Sequence, residues 1–237
     1  MSARLRLFPL NAVLFPGATL NLHVFEPRYK QMIGECMQNG DAFGVVLIQE
    51  GEEAGDPSVT PHQIGSTAEI VEVTQLPFDR YFISTIGRER FRIREIVSRE
   101  PYLTVEADYI AEDEVDEGEL SALVDEVRTL FLEYLDLIIE FTGQQSEADL
   151  PDDAQSFSFI IADALQIGDA LKQRLLEVES TKQRLTIEGS FLRRLIPQLK
   201  KLVERRQREL EARGEDPEAV EARKHQEEFF GRYFSAN

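Results

Sequence analysis

Residues 5–33 read LRLFPLNAVLFPGATLNLHVFEPRYKQMI, and their pattern decides how the chain begins. Ala3, Leu5 and Leu7 alternate with Arg4 and Arg6, the period-two signature of a half-buried strand. Two Phe-Pro steps follow, Phe8-Pro9 and Phe15-Pro16, and Pro16-Gly17 marks a turn. Each Phe-Pro step has two readings: it lines a groove for apolar peptides, or it limits edge pairing and sets a turn. The structural role is favoured, because proline donates no hydrogen bond to a sheet ladder. Pro27 then suits the first turn of a helix that carries Tyr29, Met32, Ile33 and Cys36 on one stripe and stops at Asn39-Gly40.

Beyond this opening the period stays near two. Residues 43–49 (FGVVLIQ) form a continuous apolar run, as in a strand covered on both faces. Further strand candidates are 63–75, 80–87, 89–98 and 102–110. Phe91 and Ile93 are expected inward and Arg90, Arg92 and Arg94 outward, while Leu103, Val105 and Ala107 alternate with Thr104, Glu106 and Asp108. Residues 50–62, rich in Gly, Pro and acids, read as an exposed loop. About six strands and one helix at this spacing predict a small, closed or nearly closed barrel.

At 112–118 an acidic stretch breaks the pattern, and the period changes to 3.6. Leu120, Leu123, Val124, Val127, Leu130, Phe131, Tyr134 and Ile138 make one stripe of a long amphipathic helix. Asp152 or Asp153 can cap a second helix that stops near Gly168, and Asp169 opens a third. A last helix carries Leu192, Leu195, Ile196, Leu199, Leu202 and Val203, with Pro197 expected to kink it or to mark its start. The expected fold class is therefore α+β: a β-rich pseudo-barrel lobe over 1–111, a helical bundle lobe over 119–210 ending in a long helix, and a charged, aromatic tail over 211–237.

The 237 residues carry a net charge of −18, which disfavours nonspecific contact with nucleic acid or an anionic membrane. The charge is uneven: residues 112–119 hold six acids, whereas 193–208 hold seven bases against one acid. The single cysteine, Cys36, can form neither an internal disulfide nor a zinc site and is read as a buried thiol. His23, His62 and His225 show no metal-ligand spacing. Arg6 and Pro9 interrupt any secretory apolar run, and no window approaches the ~18 apolar residues of a membrane span. A cytoplasmic setting is expected.

Several blocks, in order, resemble the N-terminal substrate-binding domain of Lon proteases. They are the opening with its Phe25-Glu26-Pro27-Arg28-Tyr29 run, Ile64–Ile70, Gln75–Tyr81, Thr85–Ile93 and the STKQRL of 180–185, so the likeness spans about 5–205. The resemblance implies a β-rich lobe followed by a helical lobe and a non-catalytic module that recognises polypeptides. Full Lon proteases add an ATPase and a Ser-Lys protease. This sequence has no Gly-Lys pair for a phosphate-cradling loop, so no enzyme activity and no cofactor are expected.

The expected partners are unfolded or apolar polypeptide segments. Phe78 and Tyr81 are the candidate peptide-binding residues, and strand addition at an open sheet edge is one possible mode. A second reading is an adaptor docking another protein, or a second copy of itself, through the basic last helix and the tail aromatics Phe229, Phe230, Tyr233 and Phe234. A third is a small-molecule sensor. For Arg88, Arg90, Arg92 and Arg94 the choice lies between an anion site and cross-strand pairing with Glu106 and Asp108, and pairing is favoured.

Overall fold

The computed structural model describes residues 2–52, 58–78, 80–112, 117–143 and 150–213. Its elements are β1 (Ser2–Leu10), β2 (Thr19–Val24), α1 (Pro27–Asn39), β3 (Phe43–Glu50), β4 (Thr60–Pro61), β5 (Ile64–Leu76), β6 (Arg80–Ser98), β7 (Thr104–Tyr109), α2 (Glu117–Thr142), α3 (Ala154–Ala164), α4 (Asp169–Glu177) and α5 (Thr181–Arg213). The α+β class, the β-rich lobe interrupted by one helix and the long final helix are as the sequence patterns indicate. The chain separates into two compact units, Met1–Leu120 with Leu150–Leu185, and Ser121–Asp149 with Thr186–Asn237.

In the first unit β1 pairs antiparallel with β7 and parallel with β3, while β3–β5, β5–β6 and β6–β7 are antiparallel, so five strands return on themselves. Closure removes the open edges over that stretch. β1 shows how alternation builds the two cores. Leu5 and Leu7 join Val46, Phe91 and Val105, whereas Phe8 and Leu10 join Tyr29, Ile33, Phe43 and Ile83. The second set lies under α1, where the rings of Phe8 and Tyr29 stack 4.0 Å apart.

The candidate strands 80–87 and 89–98 are one strand, the 19-residue β6. It changes partners along one side: its first half lies between β2 and the outer part of β5, its second half between β7 and the inner part of β5. Gly87 lies at the change. Its N–H donates to Ala18 O (2.9 Å) and its carbonyl accepts from Gly17 N–H (2.8 Å), tying β6 to the Phe15-Pro16-Gly17 turn.

Residues 150–185 belong with the sheet by contact, so the units do not follow the linear division at 111–119. Gln173 on α4 donates to Ile64 O (3.0 Å), and Phe159 on α3 lies 6.3 Å from the Phe15 ring. Asp153 caps α3 by accepting from Ser156 N–H (2.8 Å). The helix ends at Ala164, short of the expected Gly168.

The second unit contains most of α2 and α5. Arg193 pairs with Glu126, Lys200 with Glu133 (2.6 Å) and Gln207 with Glu140 (2.5 Å). Both partners advance by seven residues at each step, so the two helices run parallel with a heptad register. Val127 and Tyr134 on one helix, and Leu192, Ile196 and Val203 on the other, are buried. Pro197 lies inside α5 rather than at its start.

Candidate functional site

Two clusters of charged side chains are structural, one buried and one nearer the surface. Arg90, expected to project outward with Arg92 and Arg94, is instead only 3 % exposed. It donates to Leu176 O (2.6 Å) and Val178 O (2.7 Å) and pairs with Glu112. Arg184 bonds the other side of the Glu112 carboxylate (3.2 Å), and both guanidiniums lie over the Phe159 ring. The expected outward position fails because Glu112 and the α4 C-terminal carbonyls supply partners that make burial of Arg90 affordable. The other three arginines stand in ion pairs: Arg88 with Glu69 (2.5 Å), Arg92 with Glu179 (2.6 Å) and Arg94 with Asp108 (2.5 Å).

The second cluster links β1, α1 and the turn before β7. Glu35 accepts from Tyr102 Oη, from Gln31 (3.0 Å) and from Arg6 (3.3 Å), and the Tyr102 bond leads in lowering its pKa below the ordinary carboxylate value. Burial pushes the Cys36 thiol up to about 11, so it stays protonated at neutral pH and is no nucleophile. Among the described residues no three His, Cys, Asp or Glu side chains are placed to hold a metal. His62 Nδ1 lies 3.7 Å from Glu177, and His23 stands 5.7 Å from the Phe25 ring.

Apolar surface concentrates at the outer end of the β5–β6 hairpin. Phe78 sits in its turn with φ of +65° and 89 % of its surface exposed, its ring 5.7 Å from the Arg80 guanidinium. Tyr81 differs: it follows the inward phase of Ile83 and packs half-buried against the α1 core. Phe82, one residue on, takes the outward phase and is exposed. It is the cross-strand partner of His23, which neighbours the exposed Phe25, so Phe82, His23 and Phe25 make an aromatic strip. The sequence reading missed Phe25 and Phe82. The signal was present, since an inward Ile83 places Phe82 on the opposite face. Phe229, Phe230, Tyr233 and Phe234 lie outside the described residues.

On the other side of the hairpin, a groove of about 360 Å³ lies between the last turn of α1 and β5, lined by Cys36, Met37, Gly40, Asp41 and the 69–73 segment. Met37, Val71 and Val73 expose apolar surface there. The residues present thus offer aromatic and aliphatic contact surface, and no constellation for bond-breaking chemistry stands out among those described.

Comparison with known proteins decides the family. The model of the "ATP-dependent protease La (LON) substrate-binding domain" matches residues 4–194. The chain belongs to the Lon substrate-binding domain family. It is 32% identical over 188 residues to a Lon protease of Flavobacterium johnsoniae, covering 76% of this chain and 22% of that one. To a Lon protease of Anaeromyxobacter dehalogenans it is 26% identical over 195 residues, covering 81% and 23%. The chain therefore spans under a quarter of those Lon proteases. A Lon N-terminal domain protein from Xanthomonas campestris has the same fold, with a TM-score of 0.58 at 26% identity, covering 78% of this chain and 95% of that one. The N-terminal domain of a Mycobacterium avium complex Lon protease agrees in fold at a TM-score of 0.60 and 18% identity, with 80% and 98% covered.

Proposed function

We propose that this chain is a non-catalytic recognition module for extended, apolar segments of unfolded polypeptide, acting in protein turnover in the cytoplasm. The observation that carries the reading is the exposed aromatic surface of the hairpin end: Phe78 at the tip, with Phe82, His23 and Phe25 across the β2–β6 pair. The family's substrate-binding designation supports it. Exposed aromatics on a rigid sheet bury large area on docking at little entropic cost, and this suits binding without sequence specificity. Phe78 retains its proposed role as a contact residue. Tyr81 is proposed to support the hairpin from its core side.

The test is fluorescence anisotropy with a labelled, reduced and carboxymethylated polypeptide. Replacing Phe25, Phe78 and Phe82 together by Ser is expected to weaken binding at least tenfold while the circular dichroism and melting profile stay in place. Unchanged affinity would remove the aromatic surface from the account.

A further inference from the structure

β3 occupies the lane beside β5 only as far as the Phe43–Ala68 pair. There the chain leaves the sheet through Asp41 and Gly40 into α1, and Gly40 makes that exit in the left-handed region with φ of +71°. β5 continues for eight more residues, 69–76, paired among the described residues with β6 alone. The vacant lane opposite this edge coincides with the groove of about 360 Å³ between β5 and the α1 C-terminus. That volume falls in the range of clefts that accept ligands.

The two faces of the vacant lane differ chemically. Val73 lies opposite Ile83 and so shares the core-side face, and Met37 exposes apolar surface in the same groove. Glu72 lies opposite Ser84, on the other face. It is exposed, and no ion pair engages it among the described residues, whereas neighbouring Glu69 is paired with Arg88. The terminal carbonyls of α1 add negative potential, which no basic residue in its last turn offsets. Side chains of an added strand alternate between these faces.

We infer that the edge 69–76 of β5 binds an extended polypeptide segment by strand addition, and that it selects alternation of apolar and basic residues, apolar toward Val73 and Met37, basic toward Glu72. The inference rests on the polypeptide-recognition reading above and gives it a second surface and a charge preference. Main-chain hydrogen bonds supply sequence-independent affinity and the alternate side chains supply the selection.

The probes are an acetylated, amidated eight-residue peptide alternating Val and Lys, and the same peptide with Glu for Lys. Hydrogen exchange and anisotropy are read on the full chain. The Val-Lys peptide is expected to slow exchange at amides within 69–76 and to bind at least tenfold tighter than the Val-Glu peptide. Glu72→Lys should erase or invert that preference, and Val71→Asp should weaken both peptides; both positions are exposed, and the melting profile checks the fold. Protection confined to β2, equal affinity for the two peptides, or an indifferent Glu72→Lys would overturn the inference. So would sedimentation showing that Glu72→Lys splits a dimer without changing peptide affinity, since a second copy would then own the edge. If the carboxymethylated polypeptide still binds in those cases, polypeptide recognition survives and only this edge is wrong; if it fails to bind wild type, both fall.

Discussion

Arg90 and Arg184 converge on the same two acceptors, the carboxylate of Glu112 and the carbonyl of Val178, although they stand on a strand and a helix far apart in sequence. One carboxylate thus serves two buried guanidiniums, joining β6, the segment before α2, and the start of α5.

Glu112→Gln keeps the shape but leaves two like charges buried without an anion. Stability in urea denaturation should fall by about 3–5 kcal/mol, the usual cost of breaking a buried ion pair. Arg184→Met leaves the balanced Arg90–Glu112 pair and should cost less.

A methyl group at Gly87 would run into the Phe15 carbonyl oxygen, with the carbonyl carbon at 3.0 Å and Leu14 Cγ at 3.1 Å. Backbone cannot retreat as a flexible side chain can, so Gly87→Ala should destabilise by about 1–3 kcal/mol, measurable as a lower urea midpoint with unchanged slope.

Tyr102→Phe removes the hydroxyl that donates to Glu35, so the Glu35 pKa should rise toward the ordinary value in a carboxyl-carbon NMR titration. The sign follows from linkage. A carboxyl lowered in the folded state adds stability above its unfolded pKa and loses it as pH falls through the folded value, so the variant should show a smaller stability loss between neutral and acid pH.

Cys36 is 1 % exposed, and its thiol is raised from 9.0 to about 11. At pH 8 its thiolate fraction is about a hundredfold below that of an unperturbed thiol, so a disulfide reagent should label it at least that much more slowly in the native chain than in urea. The same shift predicts that stability declines as pH rises from about 9 toward 11, where the unfolded thiol ionises first.

How far the fold is legible in the sequence depends on the range of the interaction. Local signals read through: Pro27 and Gly40 bound α1, Asp153 caps α3, and Phe91 and Ile93 alternate inward. Alternation failed at Arg90, because its burial depends on Glu112 and Arg184, brought near only by the tertiary fold. The join of 80–87 to 89–98 was hidden because Gly87 resembles a break, whereas its lack of a side chain is what lets β6 pass the Phe15 turn. The exposed aromatic surface was half legible: exposure of Phe78 follows from its turn, while that of Phe82 requires carrying the phase of Ile83 across one residue. The empty lane beside β5 follows from where β3 stops, which no local pattern records.

Binding of polypeptide in its unfolded state is the property on which the proposed function stands. It is tested most directly by titrating the purified chain against one protein in two forms, native and reduced-carboxymethylated, and reading equilibrium anisotropy. Saturable binding of the carboxymethylated form, competed by the same form unlabelled and absent for the native form, is the predicted result. Equal binding of both forms, or of neither, would contradict it.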